Sequence, residues 1–307
     1  MKSLAYCFTL LSIIAMTMAA SQPAQAQRAR VFVSIHGNDS NPCTALSPCK
    51  TFQAAHDAVL AGGEISVLDT GGYGTLVISK SISIVAVGVE ASIAVPSGGT
   101  GITINAGASD AINLRGLIVD GAGIGPTGIV LNQAQSLMID NCVVRNLTSS
   151  GIALGPIFSS TIIVSDTVVA DNGGHGIYLQ PNASGQLDAY AVFNRVQALR
   201  NGGMGIGLFA NNGLPSIDAI AVDSVSAFNQ GDGFYALGGG NGAAFRIFHA
   251  ATFENAGWGV KADGHSFIYV SQSNLGDGWT ADNGGSLQSY GDNYVDSPAP
   301  GGALSRH

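Results

Sequence analysis

One recurring unit constrains this chain more than any other feature. An apolar stretch leads to Asn, three residues follow, and then come Gly and an apolar residue. The instances are Asn172…Gly176-Ile177, Asn201…Gly205-Ile206, Asn229…Gly233-Phe234, Asn255…Gly259-Val260 and Asn274…Gly278-Trp279. Asn146…Gly151-Ile152 has one extra residue, and Gly101-Ile102 and Gly128-Ile129 keep only the second half. The Gly-to-Gly steps are 27, 23, 25, 29, 28, 26 and 19 residues. Self-similarity at such a period marks a solenoid, in which each repeat buries its apolar side only by stacking on its neighbours.

The segments between the glycines are short and rich in Ile and Val, as in Ile162-Ile163-Val164, Thr167-Val168-Val169 and Ile177-Tyr178-Leu179. No helix of three turns fits between them, so helical repeats fall away. Three short strands per coil joined by turns remain, which is a parallel β-helix of about ten coils. The fixed Asn supplies the physical reason. A side-chain amide both donates and accepts, so identical amides stacked ~4.8 Å apart bond to one another along the axis. Asn146, Asn172, Asn201, Asn229, Asn255 and Asn274 are the expected ladder. Asn also tolerates the left-handed turn conformation, and the Gly after it permits the sharp bend.

Composition agrees. Gly makes up 43 of 307 residues and charged residues only 10%. The glycines have no period of three, which excludes collagen. The first 26 residues read as a secretory signal peptide, with Lys2, an apolar stretch from Leu4 to Ala20, and Ala24-Gln25-Ala26 as the cleavage site. No other run approaches the ~20 apolar residues of a membrane span, so the expected location is periplasmic, extracellular or on the cell surface. Without Lys2 the charge is 11 basic against 20 acidic residues, or −9. That argues against nucleic acid and against unaided binding of a polyanion. Cys43 and Cys49 bracket a short loop and, in an oxidising compartment, are expected to be bridged. Cys142 lies in an apolar run and is read as a buried thiol.

The N-terminus reads as a cap over the open solenoid end, whose strand edges must be covered. A strand over Val31 to Ser34 leads into Gly37-Asn38-Asp39, and Thr51 to Leu60 reads as an amphipathic helix. The expected division is therefore leader 1–26, cap 27–63, β-helix 64–295 and a Pro- and Gly-containing tail 296–307. Val31-Phe32-Val33-Ser34-Ile35-His36-Gly37-Asn38-Asp39, followed by Ser47-Pro48-Cys49-Lys50-Thr51-Phe52-Gln53-Ala54-Ala55, resembles the opening of pectate-lyase-like right-handed parallel β-helix proteins. The repeats resemble the sugar-related repeats of the same superfamily. The resemblance implies an all-β, right-handed parallel β-helix and a saccharide-related role. It does not fix the chemistry, because the superfamily holds lyases, hydrolases, esterases, epimerases, phage tailspikes and proteins without a known reaction.

Gly174-His175-Gly176 is similar to a string of β-helix galacturonases, but the Asp-Asp pair and the Arg-x-Lys string those enzymes need are missing. Glycoside hydrolysis depends on paired carboxylates, so His175 reads as a turn residue. Nonapeptide calcium repeats are absent too; calcium stays open and no cofactor or metal is assigned. Aligned on the ladder, the residues six before each Asn are Asp140, Asp166, Arg195, Asp223 and His249. Asp166, Arg195 and Asp223 form a candidate saccharide-binding line; the plain alternative is a solvated row in which Arg195 neutralises its neighbours. Two residues after each Gly come Tyr178, Gly207, Tyr235 and Lys261, where Tyr178 and Tyr235 are candidates to stack on sugar rings. The polar turns from Gln180 to Asp188, Phe209 to Asp218 and Leu237 to Ala243 are further candidate binding loops. Three functions follow: a binder of extracellular or cell-wall polysaccharide, a polysaccharide lyase or hydrolase, or a structural surface protein or adhesin. Oligomeric state is not legible.

Overall fold

The structure, a computed structural model, describes residues 28–182, 187–210 and 215–296. The expected leader, the tail beyond residue 296 and parts of two polar turns, 183–186 and 211–214, lie outside the described residues. The chain winds as an all-β, right-handed parallel β-helix. The regular repeat makes about seven turns. Shorter strands at both ends extend one face to ten strands, which is where the larger count expected from the sequence arises.

Each coil contributes one strand to each of three faces. The first face holds the strands that leave the ladder glycine, among them Thr127–Gln133, Ile152–Leu154, Ile177–Leu179 and Ile206–Ala210. The second holds the longer strands, such as Ser160–Ser165, Leu187–Asn194 and Pro215–Val222. The third holds three-residue strands such as Val168–Ala170 and Gln197–Leu199. Pairing is parallel and in register, so like side chains stack on like. Ile129, Ile152, Ile177, Ile206 and Phe234 form one inward column, and every member is fully buried. One coil has no second layer of its own, so this column is the core it shares with its neighbours.

Two corners turn through residues in the left-handed region. Between the second and third faces stand Asn141, Asp166, Arg195, Asp223, His249 and Gln272, with φ of 50–53°. Between the third and first stand Asn146, Asp171, Arg200, Phe228 and Glu254, with φ of 52–60°. That conformation costs an L-residue about 1–2 kcal/mol, and the stack around each corner offsets it.

The ladder occupies the second corner. Asn172 Nδ2 donates to Asn201 Oδ1, Asn201 Nδ2 to Asn229 Oδ1, and Asn229 Nδ2 to Asn255 Oδ1, each at 2.9 Å. Each amide also donates to a carbonyl of the preceding coil, as Asn201 does to Val169 O at 3.1 Å. Two expected members do not stack. Asn146 is the left-handed residue before the ladder slot, and its amide reaches Asp120 instead. Leu147 fills the slot and donates its N–H to Asn172 Oδ1, because the extra residue in this coil shifts the alignment by one. Asn274 is exposed in a third-face strand opposite Ala251. In that shortened coil Asp277 ends the ladder, accepting from Asn255 Nδ2 at 2.7 Å.

The N-terminal strand Arg28–Val33 pairs with Val59–Val67 and extends the second face. The helix runs over Phe52–Ala58, with Thr51 as its N-cap accepting from the Ala54 N–H. It is shorter than expected, since Val59 already turns into the strand that pairs with the cap. Cys43 and Cys49 are bridged, Cα to Cα 4.6 Å. Cys142 is a buried free thiol, pushed up to about 11 by burial. Among the described residues no helix is long and apolar enough to cross a membrane.

Candidate functional site

The column expected from the sequence lies at the corner between the second and third faces. Arg195 grips Asp166 with two bonds of 2.6 Å. Asp223 stands 3.6 Å from the His249 ring. The guanidinium of Arg195 holds the Asp166 carboxyl below the usual carboxylate range, so it is an anion and not a proton donor. All four side chains are about half exposed, and exposed pairs of this kind contribute little to stability. Asp140 is not in the column. It pairs with Ser165 and binds Arg115 at 3.2 Å, while Asn141 takes the corner. The cause is the same one-residue shift that displaced Asn146.

The first face presents a different arrangement. Outward residues there form three columns, because the repeat Gly-x-Gly, an apolar residue, then an outward residue stacks in register. The first column is His175, Met204, Asp232, Trp258 and Asp277, aligned by the backbone bonds that each following glycine makes. The second is Tyr178, Gly207, Tyr235, Lys261 and Thr280. The third, two residues further on, contains Phe209, Leu237, Asp263 and Asp282.

Aromatic rings run across these columns without a break. His175 lies 5.8 Å from both Tyr178 and Phe209, and Phe209 lies 5.4 Å from Tyr235, centroid to centroid. Gly207 makes the row possible: a Cβ there would come within 2.8 Å of the Phe209 ring. Met204 donates its N–H to His175 Nδ1 at 3.0 Å, which leaves the ring proton on Nε2. Burial pushes the His175 pKa down, so this imidazole is neutral.

The row ends in a charged cluster. The Tyr235 hydroxyl donates to Asp263 Oδ2 at 3.3 Å. Lys261 Nζ stands 3.2 Å from Asp282 and 3.9 Å from Asp263. Asp232, only 9% exposed, accepts the Trp258 N–H at 2.7 Å through Oδ1, and no described residue hydrogen-bonds its Oδ2. Burial raises its pKa above the usual carboxylate range; the Asp263 and Asp282 charges add to the rise, and the Trp258 bond and Lys261 oppose it. The rings are inclined to one another by 46–82°, and such an aromatic row beside hydrogen-bonding carboxyl and ammonium groups has the make-up of a sugar-binding surface. Among the described residues no cluster of His, Cys, Asp and Glu is placed to hold a metal ion.

Tyr178, Tyr235 and Lys261 were legible as one column in the sequence. Phe209, Asp232, Trp258, Asp263 and Asp282 were not, although continuing the two-residue alternation past Tyr178 and Gly207 leads to Phe209 and its stack.

The comparisons with known proteins follow this architecture. Residues 63–213 match the family model for the right-handed beta helix region. The structure of pectate lyase Pel9A superposes with a TM-score of 0.63 at 16% identity, over 90% of this chain and 81% of that one. A rhamnogalacturonan lyase gives 0.54 at 15%, over 83% and 74%. ORF18 of Geobacillus virus E2 gives 0.52 at 15%, over 78% and 56%. No curated protein sequence matches. The class is therefore a right-handed parallel β-helix, and within it this chain is pectate-lyase-like in fold. At such identities the likeness is one of architecture.

Proposed function

We propose that this chain is an exported protein that binds extracellular or cell-wall polysaccharide along its first face. The observation that carries the reading is the unbroken row His175, Tyr178, Phe209 and Tyr235, which runs into the Asp232, Lys261 and Asp263 cluster. His175, Tyr178 and Phe209 are half-buried, whereas Tyr235, expected from the sequence to be exposed, is only 7% exposed and packs against Phe209; the accessible rings are therefore fixed on a rigid sheet before binding, and little side-chain freedom is lost when a sugar docks. Export is supported by the leader sequence and by the Cys43–Cys49 bridge. A glycan array probed with the protein, followed by Tyr178→Ala and Phe209→Ala on the hits, tests the reading. Binding that survives both substitutions sinks it and moves the site to the line of Asp166, Arg195 and Asp223.

Asp232 favours a second reading, an enzyme that cleaves the polysaccharide. A carboxyl whose pKa burial raises moves toward the character of a general acid, and Asp263 and Asp282 supply further carboxyl groups on the same face. A reducing-end assay on the bound glycans tests it: turnover that Asp232→Asn abolishes supports cleavage, and binding without turnover leaves the protein a binder.

A further inference from the structure

The charges of the first face select among saccharides. Its columns contain four carboxyls, on Asp232, Asp263, Asp277 and Asp282, and one lysine, Lys261. Lys261 is shared between Asp263 and Asp282, and Asp277 is bonded to the end of the ladder. Among the described residues Asp232, nine-tenths buried, has one hydrogen-bond partner, the Trp258 N–H on Oδ1. The cluster thus holds more carboxylate than its own cation neutralises, and it adjoins the aromatic row. Resting on the saccharide reading above, we infer that the first face takes a glycan bearing free amino groups, an amino-sugar oligomer whose ring stacks on Phe209 and Tyr178 and whose ammonium enters the cluster beside Asp232 and Asp263.

The argument is one of complementarity. A uronate would bring a further anion against these carboxyls, and like charges across an interface disfavour the partner. An N-acetylated sugar has the ring but no cation. An aliphatic polyamine has the cation but no ring for the aromatic row. An ammonium donates to several oxygens at once, and charge-assisted bonds of this type are the strong ones.

The experiment titrates the full protein at neutral pH and low salt with four probes: a glucosamine hexamer, its fully N-acetylated form, a galacturonate hexamer and spermine. The glucosamine hexamer is expected to bind most tightly, by roughly tenfold over the acetylated form, and the gap should narrow as salt screens it. Asp282→Asn and Asp263→Asn should each close much of that gap while leaving the acetylated probe's affinity in place. Asp57→Asn in the distant cap, which removes the same charge, should not. Equal binding of the two hexosamine probes, or tighter binding of the galacturonate, overturns the charge selection and leaves the saccharide reading standing. An equal loss in Asp57→Asn, or spermine binding as tightly as the hexamer, shows a non-specific polycation effect and overturns it as well. Failure of all four probes overturns both.

Discussion

Asn201 is the residue on which the architecture can be tested most sharply. Its side chain is fully buried and sits in the middle of the ladder. The amide accepts from Asn172 Nδ2 at 2.9 Å and donates to Asn229 Oδ1 at 2.9 Å and to Val169 O at 3.1 Å. Asn201→Ala removes these three bonds and a fourth, from the Asn172 backbone N–H to Asn201 Oδ1 at 3.4 Å. Asn229 Oδ1 keeps a partner, the Asn201 backbone N–H at 3.0 Å. Asn172 Nδ2 falls back on Val144 O at 3.5 Å, and Val169 O loses its amide. Three buried groups left poorly partnered, the Asn172 backbone N–H among them, at about 1–3 kcal/mol each, give a loss of roughly 3–5 kcal/mol after partial relaxation. Asn146→Ala is the comparison outside the ladder: it loses the bond to Asp120 and places Ala in a left-handed turn that Asn tolerates better, at a cost of about 1–2 kcal/mol, still less than that of Asn201→Ala. Urea unfolding followed by far-UV circular dichroism and by tryptophan emission reads both. Solenoids unfold cooperatively only when neighbouring repeats stay coupled, so the two probes must give the same midpoint. Equal losses in the two variants would refute the assignment of the ladder to Asn172, Asn201, Asn229 and Asn255.

Three further outcomes follow from the same geometry. Gly205→Ala should reduce soluble protein severely, because a Cβ there would lie 1.9 Å from Ser226 Oγ and 2.8 Å from Gly233 O; an unchanged yield and midpoint would contradict the packing. Asp232 has a folded pKa above its unfolded one, so its contribution to stability is fully present below the unfolded pKa and is lost as pH rises through the folded pKa. Asp232→Asn should therefore raise the thermal midpoint at pH 7 and do so much less near pH 4; the reverse order would show that its carboxylate is stabilised in the fold. In unreduced, denatured protein beginning at Gln27, thiol titration should find one group, Cys142, and opening the Cys43–Cys49 bridge should cost about 2 kcal/mol for so short a loop; three titrating thiols would remove the bridge.

The sequence made the solenoid legible because its signal is repeated. Asn172, Asn201, Asn229 and Asn255 share one spacing to glycine, and a single turn type explains them all. The ends of the ladder were not legible, because Asn146 stands one residue before the ladder slot and Asn274 lies in a third-face strand, three residues before the Asp277 that ends the stack. A parallel stack punishes such a slip, since one inserted residue moves every later position to the next place around the coil. The same slip placed Asp140 in the corner column. The proposed binding face was half legible. Tyr178 and Tyr235 follow from the glycine register, but the path from them to Phe209 needs the glycine at 207, over which the ring folds. Asp232 escaped because a lone acid in a Gly-rich turn has no spacing signal of its own. Only the stack shows that it is buried beside Trp258, close to the charges of Lys261 and Asp263.

The proposed saccharide-binding face can be read directly through its tryptophans. The chain has two: Trp258 stands in the first outward column beside Asp232, and Trp279 begins the first-face strand that follows it. Titration of the full protein with a glucosamine hexamer, followed by tryptophan emission, therefore reports on this face. The account predicts a saturable emission change that Phe209→Ala weakens by roughly tenfold or more and that Asp166→Asn, at the remote corner, leaves unaltered. A hexamer that binds with Phe209→Ala unaffected and Asp166→Asn abolishing the change would contradict it.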